Sequence, residues 1–216
     1  MTQLIGLCGY AGVGKDCAAA NMLGWTRVSF ADGVREVALA INPMVAVDGV
    51  YGRQSLPLRF IVHRRGWDGA KAIPHVRDYL QRIGTEAGRN IIGENVWVDI
   101  AKRKVESIDG PVVVTDCRFP NEVAFIREMG GILIRITRPG VGPVNNHASE
   151  TAIDHIEADA EVLNDGTPEE LGGKVLEVAA AAFQNIMAEK LVARFVGKPE
   201  LLTKLEMALK SSDIVD

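Results

Sequence analysis

Apolar residues along the chain follow two alternating patterns. The first is a short, continuous run rich in Val, Ile and Leu, which is typical of a strand buried in a parallel sheet. The second places an apolar residue at every third or fourth position, which predicts an amphipathic helix. Because strands and helices alternate five times, we expect an α/β fold with a mainly parallel five-stranded sheet between two layers of helices. The predicted strands are residues 4–8, 26–30, 111–116, 131–137 and 160–163.

The helical pattern is clearer in some parts of the chain than in others. The longest predicted helix begins at Pro168. Proline suits the first helical position, because an amide hydrogen there would have no partner within the helix. Asp32 is expected to cap a helix that follows it. Residues 43–75 are the least regular part, because they are punctuated by Gly and Pro and rich in Arg. The predicted helices are residues 17–23, 34–41, 56–62, 76–87, 94–105, 168–188 and 198–210.

Composition excludes several classes of protein. The 216 residues are 47% hydrophobic and 24% charged, as in an ordinary globular domain. A net charge of −4 argues against a dedicated nucleic-acid-binding protein. We expect no membrane span, since no apolar run approaches about 20 residues. We also expect no signal peptide, since the N-terminus leads directly into the first predicted strand. Three cysteines without a CxxC pair predict neither a disulfide framework nor a zinc site, so we expect a cytoplasmic protein.

A glycine-rich stretch, GYAGVGKD at residues 9–16, lies between the first predicted strand and the first predicted helix. It matches the phosphate-binding pattern GxxxxGK in the context that this pattern requires. Glycines let the backbone curl until its N–H groups point at phosphate oxygens, and Lys15 can reach the β- and γ-phosphates. The stretch therefore predicts a nucleoside triphosphate site. Its predicted binding residues are Gly9, Ala11, Gly12, Val13, Gly14, Lys15, Asp16 and Cys17.

Asp16 departs from the usual pattern, in which Ser or Thr follows the lysine and binds Mg²⁺ through its hydroxyl. A carboxylate at this position can hold Mg²⁺ directly or through water. It can also cap the following helix. We expect the metal role, and the sequence leaves the capping role open.

A second acidic residue, Asp116, ends the β-branched run at 111–116. Ligands bind at the carboxyl ends of strands in open α/β sheets, and in P-loop proteins an acid at this position lies beside Mg²⁺. Asp16 and Asp116 are therefore the predicted metal residues. Arg118 follows two residues later and is predicted to reach the same edge of the sheet.

The ordered set of motifs resembles the deoxynucleoside monophosphate kinases of tailed bacteriophages. Aspartate after the P-loop lysine is itself a trait of that family, shared with animal phosphomevalonate kinases. A GTPase is disfavoured, because no NKxD guanine signature occurs, and the length suits a small-molecule kinase. The motifs that carry the resemblance are residues 9–16, 80–85, 116–122, 138–140, 147–150 and 164–171.

The resemblance implies a P-loop NTPase fold and transfer of the γ-phosphoryl group of ATP to a deoxynucleoside 5′-monophosphate, with Mg²⁺. It implies a kinase domain at 1–190 and a C-terminal helical extension at 191–216. Within the kinase domain it implies a helical substrate-binding insertion at about 43–108 and a lid at about 138–150. The implied partners are small nucleotides, with no nucleic acid and no membrane, and the implied location is the host cytoplasm if a phage encodes the protein.

The resemblance also assigns roles to individual residues. It places Asp116 and Arg118 at the phosphoryl-transfer centre and Arg138 at the lid, so that Lys15, Arg118 and Arg138 form the predicted catalytic set. A surface arginine or a salt bridge from Arg118 to Glu122 is the structural alternative. The predicted substrate-binding residues are Asp32, Arg77, Gln81, Thr85, Asp116, Arg118, His147 and Glu150.

Two other functions stay open at this point. A nucleotide-binding accessory protein would bind ATP without acceptor-dependent ADP formation. Another small-molecule kinase, of the phosphomevalonate type, would use a non-nucleotide acceptor. The sequence leaves the accepted bases, the choice between ribose and deoxyribose and the oligomeric state open, and a homodimer is compatible with it.

Overall fold

The computed structural model describes residues 3–49, 52–142 and 152–195. Within these residues, five strands form one sheet in which every neighbouring pair is parallel. From edge to edge the strands are β2 (Thr26–Val28), β5 (Val112–Val114), β1 (Leu4–Cys8), β6 (Ile132–Thr137) and β7 (Ala160–Leu163). The predicted five-stranded parallel sheet is confirmed.

Helices cover both faces of this sheet. Side chains of β1 alternate between the faces, as the two-residue period of a strand requires. Leu4 and Cys8 pack into one apolar cluster, whereas Ile5 and Leu7 pack into the other. The three-layer arrangement is therefore confirmed. The covering helices are α2 (Phe30–Ile41), α5 (Val96–Glu106) and α6 (Pro120–Glu128) on one face, and α1 (Lys15–Ala20) and α7 (Pro168–Phe195) on the other.

The region at 43–75 is more regular than the sequence predicted. Its first part is an antiparallel hairpin of β3 (Met44–Gly49) and β4 (Gly52–Pro57). Helix α3 (Leu58–Lys71) follows, broken at Gly66, whose φ of 64° lies in the left-handed region that glycine tolerates. The predicted helix at 56–62 was thus too short, and the insertion contains a hairpin besides helices.

The insertion has its own apolar cluster, which joins it to the rest of the protein. Val45 of β3, Ile61 of α3 and Val76 of α4 (Pro74–Gln81) are buried together with Ala38 of α2. Helix α2 therefore packs on the sheet through one side and carries the insertion on another. This packing fixes the insertion against α2.

The helix predicted at 76–87 changes its winding after Gln81. Helix α4 continues into a π-helix (Arg82–Ile92), an unusual length for a form that mostly occurs as single-turn bulges, often at functional sites. Buried Trp97 supports it, because its indole N–H donates to the Gly84 carbonyl at 2.7 Å. Gly88 lies against the indole so closely that a Cβ would fall 2.4 Å from Cζ2.

Helix α2 is capped by a residue other than the predicted one. Its N-cap is Ser29, and Asp32 occupies the third helical position, where its carboxylate accepts the Ser29 amide at 3.1 Å. Asp32 also pairs with Arg35 and Lys104. The prediction of Asp32 as the cap was wrong by three residues, although its side chain serves the same helix end.

Some predictions lie outside the described residues. These include His147 and Glu150, most of the predicted lid and the helix predicted at 198–210. Within the part of the chain that the structure describes, no helix is both long and apolar enough to span a bilayer.

Candidate active site

The P-loop forms a tight turn between β1 and α1. Gly9, Gly12 and Gly14 have φ values of 134°, 85° and 103°, which L-residues with a Cβ rarely adopt. At Gly9 a Cβ would also fall 2.3 Å from the Ile136 carbonyl oxygen of β6. The glycine spacing is therefore required both by backbone conformation and by contact with the neighbouring strand.

Lys15 lies inside this turn. Its side chain is buried, with 7% of the residue exposed, and its ammonium donates to the carbonyls of Gly9 at 2.6 Å and Tyr10 at 2.8 Å. The Asn164 side chain, which follows β7, donates to the Val13 carbonyl at 2.8 Å and supports the loop from outside. The ammonium is thus held at the centre of the loop in a defined position.

Asp16 faces the solvent and pairs with Arg27 of β2. Its carboxylate accepts from Arg27 Nη2 at 2.6 Å and Nε at 3.1 Å, and 73% of its side chain is exposed. Burial alone would raise the pKa of this carboxyl, but the hydrogen bond and charge of Arg27 outweigh it and hold the pKa below its usual range. The N-cap of α1 is Gly14, so the alternative role of Asp16 as the helix cap is wrong.

A cleft of about 550 Å³ opens beside the P-loop, between α2, α4, the π-helix and the carboxyl end of β5. Six of the predicted site residues line it. Asp32 does not, and Arg138 is exposed in a turn after β6, outside the lining. The six predicted residues in the lining are Asp16, Arg77, Gln81, Thr85, Asp116 and Arg118.

Asp116 joins the sheet to α2. Its Oδ2 accepts from the Ser29 hydroxyl at 2.7 Å and from the Ala31 amide at 3.0 Å, and its Oδ1 accepts from the Phe30 amide at 2.9 Å. A carboxylate is favoured there because the first amides of a helix lack partners and carry partial positive charge. Asp116 therefore holds the N-terminus of α2 against the end of β5.

Glu122 of α6 has a comparable role on the opposite wall. Its Oε2 accepts from the amides of Arg118 at 2.8 Å and Phe119 at 3.1 Å, and its Oε1 accepts from Arg89 Nη2 at 2.6 Å. Burial raises the pKa of this carboxyl to about 7, against the opposing effects of the Arg118 amide and the Arg89 charge. The predicted alternative, in which the Arg118 guanidinium pairs with Glu122, is not what the structure has: Glu122 binds the amide of Arg118.

The cleft contains cationic residues that sequence reasoning missed. One of them could have been found, because Arg77, Gln81 and Thr85 are spaced by four residues and the next step of that series is Arg89. Four residues are slightly more than one turn of an α-helix and slightly less than one turn of the wider π-helix. The change from α-helix to π-helix therefore keeps these four side chains on one face. The missed cationic residues are Arg27, Arg35, Lys71 and Arg89.

The cleft also offers oxygen ligands suited to Mg²⁺. Thr115 Oγ1, between β5 and Asp116, is buried and lies near the Asp16 carboxylate, whose pKa it helps to lower. A hydroxyl and one or two carboxylates fit an ion that keeps several waters and takes the rest of its ligands from substrate phosphates. The described residues contain no group of three or more His, Cys, Asp or Glu side chains that could hold a metal. The metal roles of Asp16 and Asp116 stay predictions.

A P-loop at the carboxyl edge of a parallel sheet, beside a cleft lined by arginines, defines a P-loop phosphotransferase. Backbone amides at a helix N-terminus and arginine side chains are both groups that bind phosphate in proteins.

Known proteins narrow the class further. The deoxynucleotide monophosphate kinase family model matches residues 69–175. A protein of Acanthamoeba polyphaga mimivirus named "Putative deoxynucleotide monophosphate kinase" is 30% identical over 190 residues, which cover 84% of this chain and 98% of that protein. The deoxynucleotide monophosphate kinase of Escherichia phage RB69 is 29% identical over 107 residues, 48% of this chain and 44% of its own. The deoxynucleoside-5′-monophosphate kinase of Escherichia phage T5 is 43% identical over 53 residues, 24% of this chain and 21% of its own.

The chain belongs to the deoxynucleotide monophosphate kinase family. It is an enzyme of this kind, and the resemblance inferred from its ordered motifs is confirmed. Its role as a nucleotide kinase follows from the family, whereas the donor, the product and the individual residue roles need the arguments below.

Proposed function

We propose that the protein transfers the γ-phosphoryl group of ATP to a deoxynucleoside 5′-monophosphate, giving a deoxynucleoside diphosphate and ADP. The observation that carries the proposal is the position of the cleft. Its lining begins at Asp16, next to the P-loop lysine, and ends among the arginines of the insertion and of the loop after β5. Two phosphate groups bound at these places would lie beside each other.

The chemistry needs alignment and charge neutralisation more than covalent help. An oxygen of the acceptor 5′-phosphate attacks the γ-phosphorus, and the bond from that phosphorus to the β-γ bridging oxygen breaks to release ADP. Lys15 and the P-loop amides hold the donor phosphates. Arg118 and Arg77 hold the acceptor phosphate, because a guanidinium fork binds phosphate bidentately.

Mg²⁺ would be held by Asp16 and Thr115, with Asp116 behind them, and when bound it would neutralise charge on the β- and γ-phosphates. Arg138 is proposed to close over the donor from the segment after β6. Gln81 and Thr85 face the acceptor nucleoside, and His147, Glu150 and Asp32 complete the predicted substrate set. We retain the division into a kinase domain at 1–190 and a C-terminal extension at 191–216.

The test is an acceptor panel. The purified protein is incubated with ATP, Mg²⁺ and each of the common deoxynucleoside and ribonucleoside monophosphates, and ADP release is followed together with chromatography of the product. We expect ADP formation that depends on a deoxynucleoside monophosphate and a matching diphosphate product. ATP binding without turnover on any acceptor would favour an accessory protein. Turnover on phosphomevalonate alone would favour the other kinase class.

A further inference from the structure

Arg89 lines the cleft but has no part in the reaction as proposed above. It lies on the π-helix, four residues after Thr85, and 17% of its side chain is exposed. A cation that is mostly buried at a ligand site is costly unless its surroundings compensate for lost hydration. Its surroundings therefore show what holds it there.

Two contacts fix the Arg89 guanidinium. Nη2 donates to Glu122 Oε1 at 2.6 Å, and Cζ lies 4.2 Å from the centroid of the Phe119 ring. An arginine between a carboxylate and an aromatic face has little freedom left, so its fork is oriented before any ligand arrives. The Glu122 carboxylate accepts from one nitrogen of the Arg89 guanidinium. A guanidinium has further N–H donors that a ligand can use.

The position of Glu122 places this guanidinium near the reacting end of the cleft. The same carboxylate accepts the amides of Arg118 and Phe119, in the loop that leaves β5 just after Asp116. Strand β5 is the neighbour of β1, which leads directly into the P-loop. Arg89 and the Arg118 loop thus share one anchor on the strand beside the donor site.

We propose that Arg89 binds the 5′-phosphate of the acceptor nucleotide, with Glu122 and Phe119 as positioning residues. This inference rests on the proposed function and adds a residue that lies on the insertion. Because the π-helix carries Arg89 and α6 carries Glu122, the ion pair also joins the insertion to the sheet on the side where the acceptor phosphate must lie.

The rival explanation is a purely structural ion pair between the insertion and α6. The two explanations differ in what they predict for ligands with and without a phosphate. If Arg89 binds phosphate, changing it should weaken binding of a deoxynucleoside monophosphate but not of its parent deoxynucleoside. A structural ion pair would affect both ligands alike, through the shape of the cleft.

The experiment uses Arg89→Lys, which keeps the charge but loses the planar fork. Binding is measured by calorimetry for the best acceptor in the panel and for its parent deoxynucleoside, and steady-state kinetics give KM for each substrate. We expect the affinity for the monophosphate to fall about tenfold and its KM to rise accordingly, with KM for ATP unchanged. Affinity for the deoxynucleoside should stay within about twofold.

The matched control is Arg127→Lys. Arg127 pairs with Asp159 at 3.7 Å on the outer side of α6 and does not line the cleft. It should leave monophosphate binding unchanged. A second variant, Glu122→Gln, keeps the shape of the anchor but removes its charge, and its effect on acceptor KM should shrink when Arg89 is already Lys, because both changes act on one guanidinium.

Four outcomes overturn the inference. Equal losses of monophosphate and deoxynucleoside affinity in Arg89→Lys would indicate a structural pair. A lower melting temperature with unchanged acceptor KM would indicate the same. Additive effects in the double variant would show that Glu122 does not position Arg89. If wild-type protein forms no ADP with any monophosphate, the proposed function fails first; if wild type is active and Arg89→Lys matches it, this inference alone fails.

Discussion

The two halves of the active site are built in different ways. The proposed donor half is one contiguous stretch, residues 9–16, in which backbone amides and a single buried lysine would supply the binding groups. The acceptor half gathers side chains from α2, α3, α4, the π-helix and the loop after β5. A triphosphate can be held by a short loop of amides, whereas recognition of a second nucleotide needs side chains from several directions.

The halves also use their acids differently. Asp16 of the donor half is exposed and pairs with one arginine, so it can exchange partners. Asp116 and Glu122 of the acceptor half accept five hydrogen bonds from hydroxyl and amide groups, and Glu122 also binds Arg89. These two acids hold the walls of the cleft in place, and the cations beside them are the groups proposed to contact the ligand.

The largest effect is expected in the donor half, from Lys15→Ala. The change removes the ammonium that would meet the donor phosphates, and the loss of such a charged contact costs on the order of 3 kcal/mol or more in the transition state. Turnover should therefore fall at least about a hundredfold. Initial-rate measurements with the best acceptor check this.

Stability must be followed in the same variant, because Lys15 also donates to two P-loop carbonyls. Each lost hydrogen bond is worth about 1 kcal/mol, so a modest fall in melting temperature is expected. Lys174→Ala, which removes an exposed lysine paired with Asp165, is the control and should keep normal turnover. Near-normal turnover of folded Lys15→Ala would remove the P-loop from the mechanism.

The Glu122 carboxyl should make the free energy of unfolding depend on pH. The pKa of Glu122 is about 7 in the folded protein and about 4.5 when the chain is unfolded, so the folded state binds more protons between these values. The free energy of unfolding should therefore decrease as pH rises from about 4.5 to about 7, by up to about 3 kcal/mol from this group.

Urea unfolding of wild type and Glu122→Gln across this interval isolates the effect. The free energy of unfolding of wild type, relative to that of Glu122→Gln, should decrease as pH rises and should become constant above about pH 7. A difference that stays constant across the interval would show that burial does not perturb this carboxyl.

Gly88→Ala tests whether the π-helix depends on Trp97. A new Cβ would fall 2.4 Å from the indole, and neither a buried ring nor a helix backbone can move away cheaply. We expect a loss of about 2 kcal/mol in stability, in the range of overpacked cores, and a raised KM for the acceptor. KM for ATP should change little, because the donor half does not contact this helix face.

A closely matched control lies one helical turn earlier. At Gly84 a Cβ would meet only Val34, at an ordinary 3.6 Å. Gly84→Ala should therefore be stable. Equal destabilisation by both substitutions would mean that helical glycine, and not the contact with Trp97, determines the cost.

The smallest effect is expected for Asp16→Asn in the donor half. Removing the charge should raise the Mg²⁺ concentration for half-maximal rate a few-fold, because Mg²⁺ prefers a carboxylate to a neutral amide. Titration of Mg²⁺ at saturating ATP measures this. Arg27→Gln removes the same ion pair but keeps the carboxylate, and a matching rise in that variant would show that the ion pair, not the carboxylate, matters.

Local patterns in the sequence were enough for most of the fold. The apolar runs located the five strands, and the order of strands and helices implied a parallel sheet covered on both faces. The P-loop was equally readable, because every group it uses lies within eight consecutive residues. What the pattern missed was the hairpin at 44–57, because its second strand, GRQSLP, is mostly polar and exposed and does not match the pattern of a buried strand.

The tertiary structure alone decided how the acceptor half is assembled. Nothing in the spacing of Arg89, Phe119 and Glu122 shows that they meet, since 30 or more residues separate the arginine from its two partners. The same holds for Asp116, whose sequence position indicated a metal ligand but whose oxygens hold the start of α2. Contacts between distant segments depend on how packed elements orient their side chains, and that information arises only when the chain has folded.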